Sequence, residues 1–153
     1  MRALATIGYQ SATPDSFLHA LERARVELLV DIRAVASSRR PGFSKTKLAA
    51  ALAEARIEYL HLRALGTPAE GRAAARAGHH AEMREIFRAH MATPEAEDAL
   101  EDLAQLVRSG RRVCLLWFEA DPAHCHRNIV ASMLAEQMSL LITHLVPDAD
   151  PLH

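Results

Sequence analysis

The sequence predicts an α/β fold: a single three-layer domain spanning residues 1–153, with a mostly parallel sheet and helices on both faces. Three observations carry this. Short apolar runs alternate with stretches of helical period along the whole chain, the pattern of repeated βαβ units. Two of the helical stretches open with the same Thr-Pro pair, an N-cap followed by proline at the first helical position. The apolar runs Leu28-Leu29-Val30 and Val113–Phe118 are continuous rather than alternating, as buried strands are.

The elements follow in order. Leu4-Ala5-Thr6-Ile7 is a first strand ending at Gly8. Thr13-Pro14 starts a helix with Phe17, Leu21 and Ala24 inward. Leu28 to Ile32 is a buried strand with a charged end at Asp31. Residues 36–43, with Ser37-Ser38-Arg39-Arg40-Pro41-Gly42, form a loop. Ser44 caps the next helix, with Leu48, Ala51, Leu52 and Ala55 inward. Ile57–Leu62 is a third strand. Residues 66–80 contain Gly66, Pro68, Gly71 and Gly78 and read as irregular or only partly helical. Met83, Ile86, Phe87 and His90 space as a helix, and Thr93-Pro94 opens another that runs to Ser109-Gly110. Val113–Phe118 is the fourth strand, Asp121-Pro122 a turn, and a helix runs from about Cys125 to Gln137. Leu141–Val146 is the last strand.

Composition sets limits on function. The chain has 153 residues, 50% hydrophobic and 24% charged, with a net charge of −1. That excludes a globally basic nucleic-acid coat. No apolar run approaches the roughly 20 residues of a membrane helix, so no membrane partner is expected, nor is a secretion signal at the N-terminus. Two cysteines, Cys114 and Cys125, are too few for a disulfide scaffold and fit a reduced, cytoplasmic setting. Charge is uneven: residues 31–90 carry 11 Lys/Arg against 6 Asp/Glu. Either this middle segment faces an anion or the charges sit on solvated helix faces.

In parallel sheets ligands bind beyond the carboxyl ends of the strands. That rule nominates Tyr9, Asp31, Arg33, His61 and Glu119. The densest constellation is Glu119-Ala120-Asp121-Pro122-Ala123-His124-Cys125-His126-Arg127. A thiol opening a helix has its pKa lowered by the dipole. Arg127 can grip a carboxylate or phosphate with two hydrogen bonds. Glu119 can act as acid or base if burial raises its pKa. The competing reading is a packed Cys125 and a structural Glu119–Arg127 pair. A cysteine-phosphatase loop would need arginine six positions after Cys125, where Ala131 stands. The adjacent ligands His124, Cys125 and His126 do not suit a tetrahedral metal, so no metal is expected. The second constellation is Arg33 with Ser37-Ser38-Arg39-Arg40-Pro41-Gly42-Phe43-Ser44-Lys45. It is either a phosphate or nucleic-acid cradle or a solvated basic loop, with the heads of Arg39 and Arg40 in solvent. It lacks the nucleotide-triphosphate loop pattern, and no cofactor is expected. His79-His80 reads as exposed. Cys114, Trp117, Met83, Met91 and Met133 read as core.

Several of these blocks resemble the domain-of-unknown-function 488 family. They are Thr6-Ile7-Gly8-Tyr9-Gln10-Ser11, Leu29-Val30-Asp31-Ile32-Arg33, Ser38-Arg39-Arg40 with Phe43, and Ile57–Leu62 with Leu65-Gly66. The most specific is Glu119-Ala120-Asp121-Pro122 with Cys125-His126-Arg127. The resemblance implies one α/β domain of a kind found widely in bacteria, without an assigned reaction. It also marks departures. Family members often carry cysteine where Trp117 stands, glutamate where Ala64 stands, and tyrosine where His90 stands.

Three functions are compatible with these residues. The first is an enzyme acting on an anionic, phosphate-bearing substrate such as a nucleotide or nucleic-acid fragment. Tyr9, Asp31, Arg33, Arg39, Arg40, His61 and Arg127 would bind it. Glu119 would do acid–base work, with Cys125 or His126 assisting. The second is a nucleic-acid binding or processing accessory protein without catalysis; the aromatic content of 5% argues mildly against base stacking there. The third is a small interaction module whose polar cluster is structural. The sequence leaves the oligomeric state open.

Overall fold

The computed structural model describes residues 2–118 and 126–147, with the backbone alone at 126–128. Its strands are β1 (Arg2–Gly8), β2 (Leu28–Asp31), β3 (Glu58–His61), β4 (Val113–Trp117) and β5 (Leu140–Leu145). Its helices are α1 (Pro14–Arg23), α2 (Lys45–Glu54), α3 (Ala69–Arg76), α4 (His80–Met91), α5 (Pro94–Arg108) and α6 (His126–Ala135), with a 3-10 turn at Arg63–Leu65.

Local chemistry sets the helix ends. Thr13 accepts a hydrogen bond from the Ser16 N–H, and Ser16 returns one by accepting from the Thr13 N–H, each at 3.0 Å. This reciprocal capping box satisfies two otherwise unpaired donors at the start of α1. Thr93 caps α5 in the same manner through the Ala96 N–H. At the other end of α1, Arg25 takes a left-handed φ of 57° while Val26 N–H donates to the Leu21 carbonyl and Arg25 N–H to that of Glu22. Arg56 does the same after α2, at φ 60°, with Ile57 N–H on the Leu52 carbonyl. These are Schellman closures made without glycine, and each turns the chain directly into the next strand.

All five strands are parallel, in the spatial order β3-β2-β4-β1-β5. Side chains alternate between two cores. Leu4, Leu28, Val30, Val113 and Leu115 pack with Phe87, Leu103 and Val130, beneath α3–α6. Ile7, Leu29, Cys114 and Leu116 pack with Phe17, Leu21, Leu48 and Leu52, beneath α1 and α2. Because helices cover both faces, the strands are apolar on both. β4 lies between β2 and β1, whose outgoing helices α2 and α1 pack on one face, while α6, after β4, packs on the other. Neighbouring strands therefore send the chain to opposite faces, and that opens a crevice at their carboxyl ends.

Two local expectations change. Residues 69–76 are helical despite the glycines around them. A Cβ on Gly71 would meet Thr67 Cγ2 at 2.5 Å, so this glycine is there for close approach rather than to break the helix. Ser44 sits at the N-cap of α2 but does not cap it with its side chain. Its hydroxyl accepts from the Ser38 N–H at 2.9 Å and so closes the preceding loop instead.

Candidate functional site

The strand ends Gly8, Asp31, His61 and Trp117 lie at one edge of the sheet. Asp31 is fully buried there, and its carboxylate is saturated by neighbours. Oδ1 accepts from the Arg33 N–H at 3.0 Å and from Arg33 Nε at 2.9 Å. Oδ2 accepts from Arg33 Nη2 at 2.7 Å and from the Tyr59 hydroxyl. The guanidinium continues outward: its Nη1 donates to the Phe43 carbonyl at 2.7 Å and to the Tyr9 hydroxyl at 3.1 Å. It also lies over the Tyr9 ring, 5.4 Å from the centroid. His61 Nε2–H donates to the Arg33 carbonyl at 2.7 Å.

Burial opposes the charge of Arg33, but Asp31 more than offsets it and holds the guanidinium protonated above its ordinary range. Burial, and then the hydrogen bond and charge of Asp31, push the Tyr59 hydroxyl well above the usual phenol value. Asp31 and Arg33, nominated as ligand groups, are thus bound first to each other. Asp31 is a positioning residue behind the site, and Arg33 forms part of its wall.

In front of this network lies a cavity of about 680 Å³. Tyr9, Arg33, Ser37, Ser38, Arg39 and Arg40 line it, and α3 adds Arg72 and Arg76. No aspartate or glutamate is among the described lining residues. Arg39, Arg72 and Arg76 form no ion pair with a described residue. Arg72 donates to the Thr67 carbonyl at 2.8 Å, which aims its side chain from α3. Arg40, expected in solvent, is half-buried and donates to the Ala12 carbonyl, while Arg39 is exposed. Apolar and aromatic side chains complete the wall: Val35, Met83, Trp117 and Phe118.

The basic loop that carries Arg39 and Arg40 is internally fixed. The Arg40 N–H donates to Ser38 Oγ at 3.1 Å, the Phe43 N–H to the Arg40 carbonyl at 3.3 Å, and the Lys45 N–H to the Ala36 carbonyl at 2.9 Å. Gly42 takes φ +90°, a conformation other side chains rarely adopt. Phe43 is buried, stacked on Tyr9 at 4.6 Å, and its carbonyl anchors Arg33. A basic loop on this scaffold presents its charges at defined places.

Tyr9, Arg33, Arg39 and Arg40 therefore meet around one cavity, while Asp31 and His61 stand behind its wall. Glu119 and Cys125 lie outside the described residues. His126 and Arg127 open α6, and their side chains too lie outside what is described. Arg72 and Arg76 were missed. Their i, i+4 spacing in an alanine-rich stretch was the available signal, since it puts both on one helical face. Trp117 and Met83, read as core, both pack against the core and line the cavity. Cys114 is fully buried, as read. His79 is exposed, but His80 is only partly so.

No curated protein and no solved structure matches the chain. A family model does: the one described as Domain of unknown function DUF488 matches residues 13–134, from the cap of α1 into α6. The match covers most of the chain, which belongs to this family.

Proposed function

We propose that this DUF488 protein binds a phosphate-bearing small anion in the cavity at the carboxyl edge of its sheet and acts on it as an enzyme. One observation carries the reading: arginines from three chain segments line the cavity, with no carboxylate among the described lining residues. Arginine suits phosphate because its planar fork donates two parallel hydrogen bonds. Tyr9 adds a donor. Its hydroxyl accepts from Arg33, and its own proton has no acceptor among the described residues. The position at the strand ends of a parallel sheet is where such folds bind ligands. In this reading Glu119 performs the acid–base step and Cys125 or His126 assists.

Calorimetric titration with nucleoside monophosphates tests binding, using wild type, Arg76→Ala and Glu119→Gln. Arg76→Ala should weaken binding about tenfold or more, the loss of one charge-assisted hydrogen bond. Glu119→Gln should bind comparably and fail to convert the ligand when the mixture is followed by phosphorus NMR. Absence of phosphate-dependent binding in the wild type would overturn the reading. A wild type that binds but converts nothing would leave a non-catalytic binding protein.

A further inference from the structure

The cavity is much larger than a phosphate needs and is only partly cationic. A phosphate group occupies little more than a few water volumes, each about 30 Å³, against a cavity of about 680 Å³. The remaining wall is apolar. The chain has one tryptophan, two tyrosines and four phenylalanines, and Trp117, Tyr9 and Phe118 all line this one cavity. Low aromatic content therefore says little about stacking here, because the few aromatics are concentrated at the site.

Phe118 is the informative residue. It is 40% exposed, an apolar ring left facing water. It is held in place, because Tyr9 meets it edge-on at 5.3 Å and Tyr9 is itself stacked on Phe43. Val35, 55% exposed, lies in the same cavity. Trp117 packs one part of its side chain on the core and shows another to the cavity. Exposed apolar surface on a fixed frame gains when a flat apolar ligand covers it.

We infer that the ligand is a phosphate monoester carrying a planar aromatic body, the chemistry of a mononucleotide, rather than a sugar phosphate or free phosphate. Its anion meets Arg39, Arg72 and Arg76, and its ring packs against Phe118 and Trp117. This rests on the phosphate-binding reading above and adds the second half of the ligand.

Four ligands separate the halves by calorimetry on the intact chain: AMP, ribose 5-phosphate, adenosine and inorganic phosphate. Trp117 is the sole tryptophan, so its emission reports on this wall alone. The expected result is AMP binding roughly tenfold or more tighter than ribose 5-phosphate, with AMP shifting or quenching Trp117 emission. Phe118→Ala, at an exposed position, should weaken AMP and leave ribose 5-phosphate unchanged. Equal affinity for AMP and ribose 5-phosphate would overturn the aromatic half and spare the phosphate reading. Adenosine binding as tightly as AMP would overturn the phosphate reading, and this inference with it. AMP binding that leaves Trp117 emission unchanged would place the ring elsewhere and overturn the inference alone.

Discussion

Arg33 folds back on Asp31, two residues earlier, and holds both oxygens of its carboxylate through Nε, Nη2 and its own backbone N–H. Both side chains are buried, at 4% and 0% exposure. A buried pair has its attraction set against the cost of desolvating two charges, so its net worth is small. Removing one partner, however, leaves an uncompensated buried charge. Asp31→Ala should therefore destabilise the protein by about 3–5 kcal/mol, read as a lower urea midpoint at unchanged slope. A variant within 1 kcal/mol of wild type would mean that solvent reaches Arg33.

Tyr59 extends the same network to a pH dependence. Its hydroxyl donates to Asp31 and is held above the usual phenol range by burial and by that carboxylate. The neutral phenol is the form favoured by folding. Its contribution is complete below the unfolded phenol value of about 10 and is lost as pH rises from there toward the higher folded value. Wild type should lose more stability than Tyr59→Phe between about pH 9.5 and 11. Chemical unfolding of both proteins at several pH values measures the difference, and parallel curves would remove Tyr59 from the titration.

How far the sequence foretold this structure depends on how local each cause is. Thr13-Pro14 and Thr93-Pro94 were legible because a cap needs only its next three residues. The two-sided apolar strands were legible as a parallel sheet, but their order was not. Leu4 pairs with Val113 across most of the chain, and nothing in either strand encodes its neighbour. At the site, the strand-end rule found Tyr9 and Arg33 because they follow apolar runs. It misassigned Asp31, although opposite charges two residues apart in extended chain face the same side and can pair. Arg72 and Arg76 were hidden because Gly71 resembles a helix breaker until Thr67 is seen packed against it.

Gly66 should be intolerant of any side chain. A Cβ there would stand 2.2 Å from the Ala34 nitrogen and 2.4 Å from its Cα, and backbone cannot rotate away as a side chain can. Ala34 lines the cavity between Arg33 and Val35. Gly66→Ala should cost at least the roughly 1–3 kcal/mol typical of overpacking and should weaken ligand binding by moving that wall. Gly78→Ala is the control. Gly78 has φ +81° but nothing within 4 Å of a new Cβ, so it should cost about 1–2 kcal/mol and leave binding unchanged. A melting curve for Gly66→Ala matching wild type would show that the 3-10 turn shifts freely against β2.

Arg39 and Arg40 are neighbours with different work to do, and single replacements should separate them. Arg39 is exposed and forms no ion pair with a described residue, so Arg39→Ala should change stability by less than about 0.5 kcal/mol. Arg40 is half-buried and donates to the Ala12 carbonyl, which ties the basic loop to the start of α1. Losing a hydrogen bond from a charged donor costs about 1.5–3 kcal/mol, so Arg40→Ala should unfold at a clearly lower denaturant concentration. For binding the contrast reverses in clarity. Arg39→Ala stays folded, so a roughly tenfold loss of AMP affinity reports contact alone. Its affinity should also depend less steeply on salt, because one fewer screened charge meets the phosphate. Calorimetry at low and physiological salt, alongside urea unfolding of each variant, reads both effects. Unchanged AMP affinity in stable Arg39→Ala would move the anion toward α3, where Arg76→Ala must then carry the loss. An Arg40→Ala variant as stable as wild type would show that the loop is held by Ser38, Ser44 and Phe43 without it.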